Sequence, residues 1–424
     1  MQNTLYHKEN LKVLGKLFKK HREQTGYSIR GVSRSINISH AVISDIENCK
    51  IHPNEDTLKD LYRAIDIHLC IDEKLLKECQ YLINDLNEAI YFWETKKIEA
   101  LFKTLASHEH KLLYSPLRIE YLLTRKMVDV MYYELYDYKD FSIFDDDLKY
   151  MSKNQQATLY FIKGINAFYN KSYEIAIDYF AKNAKHFKED KTYTLSIYYL
   201  SFAYHKIFRS YEALHYADIA EDLLTKQSNL KLKIEIDFLK AQKYIDQGYI
   251  DEAKRILDSL ETAMEFQNEL SDMSKRFRSF KIYLLYSEKK YETLLSELKN
   301  VHPLPTSLLL FKAITGYKLN DESVIETALN QLINIQKDDQ YVMIGKLFAY
   351  VQGLAINKKE IYRIIDDILA FPYRFISVHL FHMAFDLMFD IFIQENDQKR
   401  LVEALNRYKR IQKLRDRHGI DFAL

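Results

Sequence analysis

The chain has 424 residues, a formal net charge of +1, 47% hydrophobic residues, nine Gly and five Pro. That length is too great for one ordinary core, and the apolar share is ample for a packed interior. The scarcity of Gly and Pro, with helical polar–apolar spacing nearly throughout, predicts an all-α protein. Three cysteines, Cys49, Cys70 and Cys79, are odd in number and confined to the N-terminal part, which suits a reducing cytoplasm better than a disulfide framework. The opening MQNTLYHKEN has no apolar signal region, and Asp386 and Asp390 interrupt the apolar stretch 379–393, a poor membrane span. The expectation is a soluble, cytoplasmic protein with no membrane partner.

In chain order, the first helix carries Leu14, Leu17 and Phe18 on one face and ends at Gly26. Ser28 then caps a short helix with Val32 and Ile36 on one side. Asn37 sits where the turn needs a residue that tolerates positive φ. Ser39 caps a second helix, in which Ile43 and Ile46 face inward while His40, Ala41 and Ser44 face out. Pro53 and Asn54 introduce a further helix with Leu58, Leu61 and Ile65 inward. Such a pair of helices places the second in the major groove of DNA, its N-terminal residues against base edges. Ser39, His40, Ala41 and Ser44 are the candidates there; Arg30, Arg34 and Lys50, on flanking segments, are placed for phosphates. Residues 1–70 hold eleven Lys/Arg against eight Asp/Glu, a net +3 whose sign agrees with that partner.

Over residues 11–67 this pattern resembles the Cro/repressor-type helix-turn-helix (the Xre group). The matching residues are Gly15, Arg22, Gly26, Ser28, Ile43, Ser44, Ile46, Glu47, Asn48, Pro53 and Leu58. Ile29 stands where the family usually has Gln, which puts a polar DNA contact in question. Asn37 and Cys49 stand where it usually has Gly, which touches only turn geometry. The resemblance sets a DNA-binding domain at 1–70 and leaves 71–424 as a second region.

Past residue 70 the chain repeats a theme. Segment 164–184 has Gly164, Ala176 and Phe180; segment 201–220 has Ser201, Tyr204, Ala213, Ala217 and Ala220 in the matching places; segment 241–260 has Ala241, Tyr244, Ala253 and Leu257. An aromatic and an acid precede each second helix: Tyr173-Glu174, Tyr211-Glu212 and Tyr249 with Glu252. These segments resemble tetratricopeptide repeats, small residues standing where two helices cross and aromatics filling the gap. Ala176, Ala213 and Ala253 are 37 and 40 residues apart, longer than the usual period of about 34. Weaker copies run from Tyr283 to Leu298 and from Ala313 to Leu329, and helices near 73–94 and 98–108 read as a degenerate first repeat. Pro303, Pro305 and Pro372 mark breaks, and the last helix, roughly 397–417, with Leu401, Leu405, Tyr408, Ile411 and Leu414 on one face, reads as a cap. Helix pairs of this kind bury their apolar faces only by stacking, as an α-solenoid.

No catalytic constellation emerges: there is no phosphate-binding loop, no H-E-x-x-H and no C-x-x-C. His379 and His382 are one helical turn apart but lie among Leu380, Phe381 and Phe385, as core or interface histidines, with no third metal ligand evident. Asp145, Asp146 and Asp147 read as an acidic loop or a helix start. Neither an enzyme, a cofactor nor a metal is expected.

The combination of a Cro-type helix-turn-helix and a tetratricopeptide array resembles the peptide-pheromone-sensing regulators of Gram-positive bacteria, the group containing Rap, Rgg, PlcR, PrgX and NprR. The resemblance implies a quorum-sensing transcription regulator that binds an operator in double-stranded DNA and a short linear signalling peptide in the concave groove of its array. In such arrays the first helix of each pair lines the groove. Counting from the matched small residues gives Tyr198, His205 and Lys206 in one repeat, Glu235, Gln242 and Asp246 in the next, and Arg276, Tyr283 and Tyr286 in the third. A homodimer is expected, since one such domain reads too few base pairs alone; Phe381, Phe385 and Phe389 are candidate surface for self-association. The alternative is a repeat-based adaptor, or a regulator of a second signalling protein, with secondary DNA binding.

Overall fold

The computed structural model describes residues 8–132, 138–145, 147–185, 191–265, 271–299, 301, 303–336, 339–370 and 378–416. Asp146 and Pro372 lie outside the described residues, as does the side chain of Leu414. Among the described residues every regular element is helical. By its contacts the chain divides into two compact units, residues 1–200 and 201–424.

The first unit opens with four helices, α1 (Lys8–Gln24), α2 (Ile29–Ile36), α3 (His40–Glu47) and α4 (Glu55–Arg63). Their core is built from Leu14, Phe18, Val32, Ile43, Ile46, Leu58, Leu61, Tyr62 and Ile65. The helix starts are fixed by side chains that satisfy otherwise unpaired backbone N–H groups. Ser28 accepts from the Gly31 amide at 3.0 Å, Ser39 from Val42 at 3.3 Å and Asn54 from Thr57 at 2.7 Å. Gly15 lets α1 cross close over α3, since a Cβ there would lie 2.8 Å from the Ile46 side chain. Beneath the turn, Arg22 reaches Glu47 through Nε at 2.5 Å and Nη2 at 3.0 Å, and donates to the Tyr27 carbonyl at 2.8 Å.

The unit continues through α5 (Glu73–Tyr91), α6 (Thr95–Ala106), α7 (Glu109–Leu112) and α8 (Arg118–Met131), two short 3₁₀ turns at Tyr138–Phe144 and Leu148–Tyr150, and the pair α9 (Lys153–Tyr169) and α10 (Tyr173–Ala184). Glu120 on α8 accepts from Asn10 of α1 at 3.2 Å and from Gln155 of α9 at 2.8 Å, so the four-helix core is tied to its neighbours by a polar network. Asp147 is buried against Arg118, which makes it a structural ion-pair member. Gly164 packs against Phe180 so closely that a Cβ would meet the ring at 2.5 Å.

Six further helix pairs follow: α11 (Lys191–Lys206) with α12 (Ser210–Lys226), α13 (Leu230–Asp246) with α14 (Ile250–Glu265), α15 (Ser271–Ser287) with α16 (Tyr291–Leu298), α17 (Thr306–Lys318) with α18 (Glu322–Ile333), α19 (Gln340–Val351) with α20 (Lys358–Ala370), and α21 (Val378–Gln394) with α22 (Gln398–Asp416). Within each pair, α9/α10 included, the first helix ends on one residue at positive φ: Lys171, Phe208, Gly248, Lys289, Asn320, Gly353 or Asn396. The next amide then donates back five residues, as Ser172 does to Ala167 and Arg209 to Tyr204. This is the Schellman end, which satisfies a carbonyl the helix would otherwise leave open.

One expectation is corrected here. Phe381 and Phe385 do not offer free surface for self-association; both are fully buried. Tyr408 of α22 stacks on Phe381 and tilts against Phe385, while the half-buried Phe389 meets it edge-on. The cap helix needed something to cover, and these rings are it. Exposed apolar residues at this end are instead Ile393 and Val402.

Candidate functional sites

Helix α3 is short and its placement is over-determined. The cap at Ser39 sets its start, Ile43 and Ile46 are buried beneath it, and Glu47 anchors its end to Arg22. What remains outward at its N-terminal part is His40, Ala41 and Val42, all exposed, with Ser44 half-buried. The Ser39 oxygen accepts from Val42 in the cap, which fixes the side chain and leaves its O–H and one lone pair for a partner. Asn48 donates through Nδ2 to the Ser44 hydroxyl at 3.3 Å and the Ser44 carbonyl at 2.8 Å, which orients that side chain. Arg30 and Arg34 are exposed on α2. Lys50 is exposed too, and lies 3.3 Å from Asp45, a contact that solvent weakens. Sequence reasoning passed over Val42, whose exposed methyl groups suit a thymine methyl. Its signal was an apolar residue one position off the Ile43/Ile46 stripe.

The residues read as groove-lining fall in two places. Tyr198 belongs to the first unit and is buried edge-on against Tyr199. The others lie in the second unit, where many engage one another. Arg276 on α15 pairs with Glu235 on α13 and stacks over Phe238. Asp246 accepts from the Tyr283 hydroxyl at 2.8 Å and from the Lys243 ammonium at 3.1 Å. Gln242 and Tyr283 border a cavity of about 70 Å³, together with Ser279, Phe280, Ser307, Phe311, Tyr341 and Leu380. His205 is 3% exposed, and its Nδ1 has no hydrogen-bond partner among the described residues. Burial, then the neighbouring Lys243 and Lys206 charges, hold the His205 imidazole neutral well below its ordinary range.

Sequence reasoning missed Lys243, which has no exposed surface at all, and the arrival of α21 on this layer. His379 sits 5.3 Å from the Tyr286 ring and 6.3 Å from Tyr283 (centroid to centroid), Leu380 borders the cavity, and Phe381 tilts on Phe208. Burial lowers the His379 pKa against the opposing pull of Asp246. Among the described residues no group of side chains is arranged to hold a metal ion. No helix among them is long and apolar enough to cross a membrane.

A helix-turn-helix family model matches residues 18–71, which covers α2, α3 and α4. The protein is therefore all-α, with an N-terminal Cro-type helix-turn-helix ahead of stacked helix pairs. Its fold is that of the Rap and NprR proteins. A Rap protein complexed with competence and sporulation factor is 18% identical with a TM-score of 0.59, over 81% of this chain and 99% of that one. NprR in complex with its cognate peptide NprX is 16% identical with a TM-score of 0.54, over 80% and 99%. The apo form of the quorum sensor NprR from B. thuringiensis is 14% identical with a TM-score of 0.54, over 80% and 99%. A comparison with curated protein sequences finds no match.

Proposed function

We propose that this protein is a cytoplasmic transcription regulator whose DNA binding is controlled by a short peptide seated on the first-helix layer of its repeats. The observation that carries this reading is a capped, clamped helix α3 with His40, Ala41 and Val42 exposed, in a chain whose fold is shared with a Rap protein complexed with competence and sporulation factor and with NprR in complex with its cognate peptide. Residues 1–70 are read as the DNA-binding domain and 71–424 as the sensing and dimerising region. The working unit is a homodimer, because paired domains read a two-fold operator. No catalytic step is assigned.

An extended peptide brings unpaired backbone N–H and C=O groups, and each one buried needs a partner. Gln242, Tyr283 and Arg276 carry the donors and acceptors for that role, and Tyr286 adds apolar area. Several of these groups hold internal partners, so peptide entry exchanges one set of bonds for another and favours one packing of the layer over another. Capture of genomic fragments by the purified protein tests the first half. A His40→Ala, Ser44→Ala variant should relax specificity by about 1–3 kcal/mol per lost base-pair match. Lys50→Ala should weaken binding to all sequences and flatten its salt dependence. Unaltered preference in the double variant removes α3 from the reading. Calorimetry with short peptides encoded beside the gene tests the second half, with Gln242→Ala, Arg276→Ala and Tyr283→Phe combined expected to abolish binding. Light scattering reads the dimer.

A further inference from the structure

Three cations, on α11, α13 and α15 of the second unit, act on one another, and only two of them have counter-charges. Lys243 on α13 is completely buried and bonded to Asp246 at 3.1 Å. Arg276 on α15 is paired with Glu235. Lys206, on the last turn of α11, feels both Lys243 and Arg276 and has no carboxylate partner among the described residues. Beside it is the buried His205 with its unpartnered Nδ1. The cluster therefore carries one uncompensated positive charge and one unsatisfied ring nitrogen in a half-buried place, an arrangement that costs free energy until an anion arrives.

We propose that this cluster seats a carboxylate of the peptide ligand, one oxygen on the Lys206 ammonium and the other in reach of the imidazole of His205. The proposal rests on the peptide-binding reading and narrows it: the ligand bears an acidic side chain or presents its free C-terminus here. Both sources share one chemistry, a carboxylate. Lys243 and Arg276, whose charges both act on Lys206, add long-range attraction. Burial, reinforced by those two charges, brings the Lys206 ammonium down to about 8, and a bound anion reverses that push. A peptide carrying a Lys or Arg at this position would be repelled, which gives the site discrimination as well as affinity.

The test uses the full-length protein and random heptapeptide libraries, one amidated at the C-terminus and one ending in a free acid, each panned against wild type, Lys206→Met and Lys206→Arg. Met keeps the length of the aliphatic stem and removes the charge, so folding is expected to be kept; circular dichroism and the melting temperature check it. The expected result is enrichment of Asp or Glu from the amidated library, or a preference for the free-acid library. Replacing that carboxylate by its carboxamide should weaken binding to wild type by roughly tenfold or more. In Lys206→Met the acid and the amide should bind within about twofold of each other, while Lys206→Arg should keep the preference. Peptides that bind wild type tightly with no acid requirement, or whose acid preference survives Lys206→Met, overturn the carboxylate site and leave peptide binding standing. A wild type that enriches no peptide from either library overturns the peptide reading itself, and the site with it.

Discussion

In residues 22–50 the polar groups that build the structure and those that face outward are different residues. Ser28 and Ser39 are consumed by caps and Glu47 by Arg22, whereas Arg30, Arg34 and His40 stay exposed on the helices so fixed. In the layer formed by α13 and α15 the side chains proposed to meet a ligand are themselves the ones that hold the layer together. Glu235, Asp246, Arg276 and Tyr283, each read as groove-lining from the sequence, hold α13 to α15. On the proposed reading, a rigid reader of a rigid partner keeps its contacts free and spends other residues on its scaffold. On the same reading, a layer that accepts an extended chain keeps its polar groups satisfied internally until that chain replaces them.

The largest expected effect separates the two kinds of ion pair. Arg22 and Glu47 have side chains 8% and 1% exposed, and removing one partner leaves the other as a buried, uncompensated charge. Arg22→Ala should cost about 3–5 kcal/mol, and Arg22→Lys should not restore it, because an ammonium cannot make the two-pronged contact. Arg276 is 47% exposed, and Arg276→Ala should cost less than about 1 kcal/mol. Chemical denaturation reads both, and hydrogen exchange at the α1–α3 amides localises the first. Equal costs would break the contrast drawn between the two regions.

That contrast also governs what the sequence could tell. The helix-turn-helix was legible because its determinants are local: Ser28, Ser39 and Asn54 each act within three residues, and Ile43 and Ile46 share a helix turn. The repeats were legible where Gly164, Ala176 and Phe180 pack at close crossings. The pair α19/α20 escaped, and α22 was legible only as a cap rather than as the second helix of a pair, since both pairs lack that small-residue signature at matched spacing. Nothing in the periodicity of α21 announces that His379 and Leu380 meet Tyr283, nearly a hundred residues earlier. The burial of Phe381 was misjudged for the same reason: an apolar face in sequence does not reveal that Tyr408 will cover it.

Acid should strike the second region through its neutral histidines. His205 and His379 are both lowered, chiefly by burial. In the unfolded chain each protonates near pH 6.5. As pH falls through that value the unfolded state takes up protons that the fold refuses, so stability is present above about 6.5 and lost below it. Each histidine steepens the loss by up to about 1.4 kcal/mol per pH unit. Replacing His205 with Gln should flatten the melting temperature profile between roughly pH 6.5 and 5. An unchanged slope would mean that His205 is protonated in the fold, and that the layer is less sealed than its burial implies.

The smallest expected effects lie in the turns, where both regions use one device. Cys49 after α3 and Lys171 after α9 adopt φ of +57° and +62°, the left-handed region that a Cβ makes unfavourable. Glycine at either position removes that strain but frees the unfolded chain, so the net depends on what the side chain contributes. Lys171 is exposed, and Lys171→Gly should stabilise by up to about 1 kcal/mol. Cys49 instead donates through Sγ to the Lys12 carbonyl at 3.4 Å, a tie between the end of α3 and α1. Cys49→Gly relieves the same strain and gives up that tie, so its gain should be the smaller of the two. A gain at Cys49 as large as at Lys171 would mean that the thiol contributes nothing, and that α3 is held by Arg22, its cap and its buried isoleucines alone.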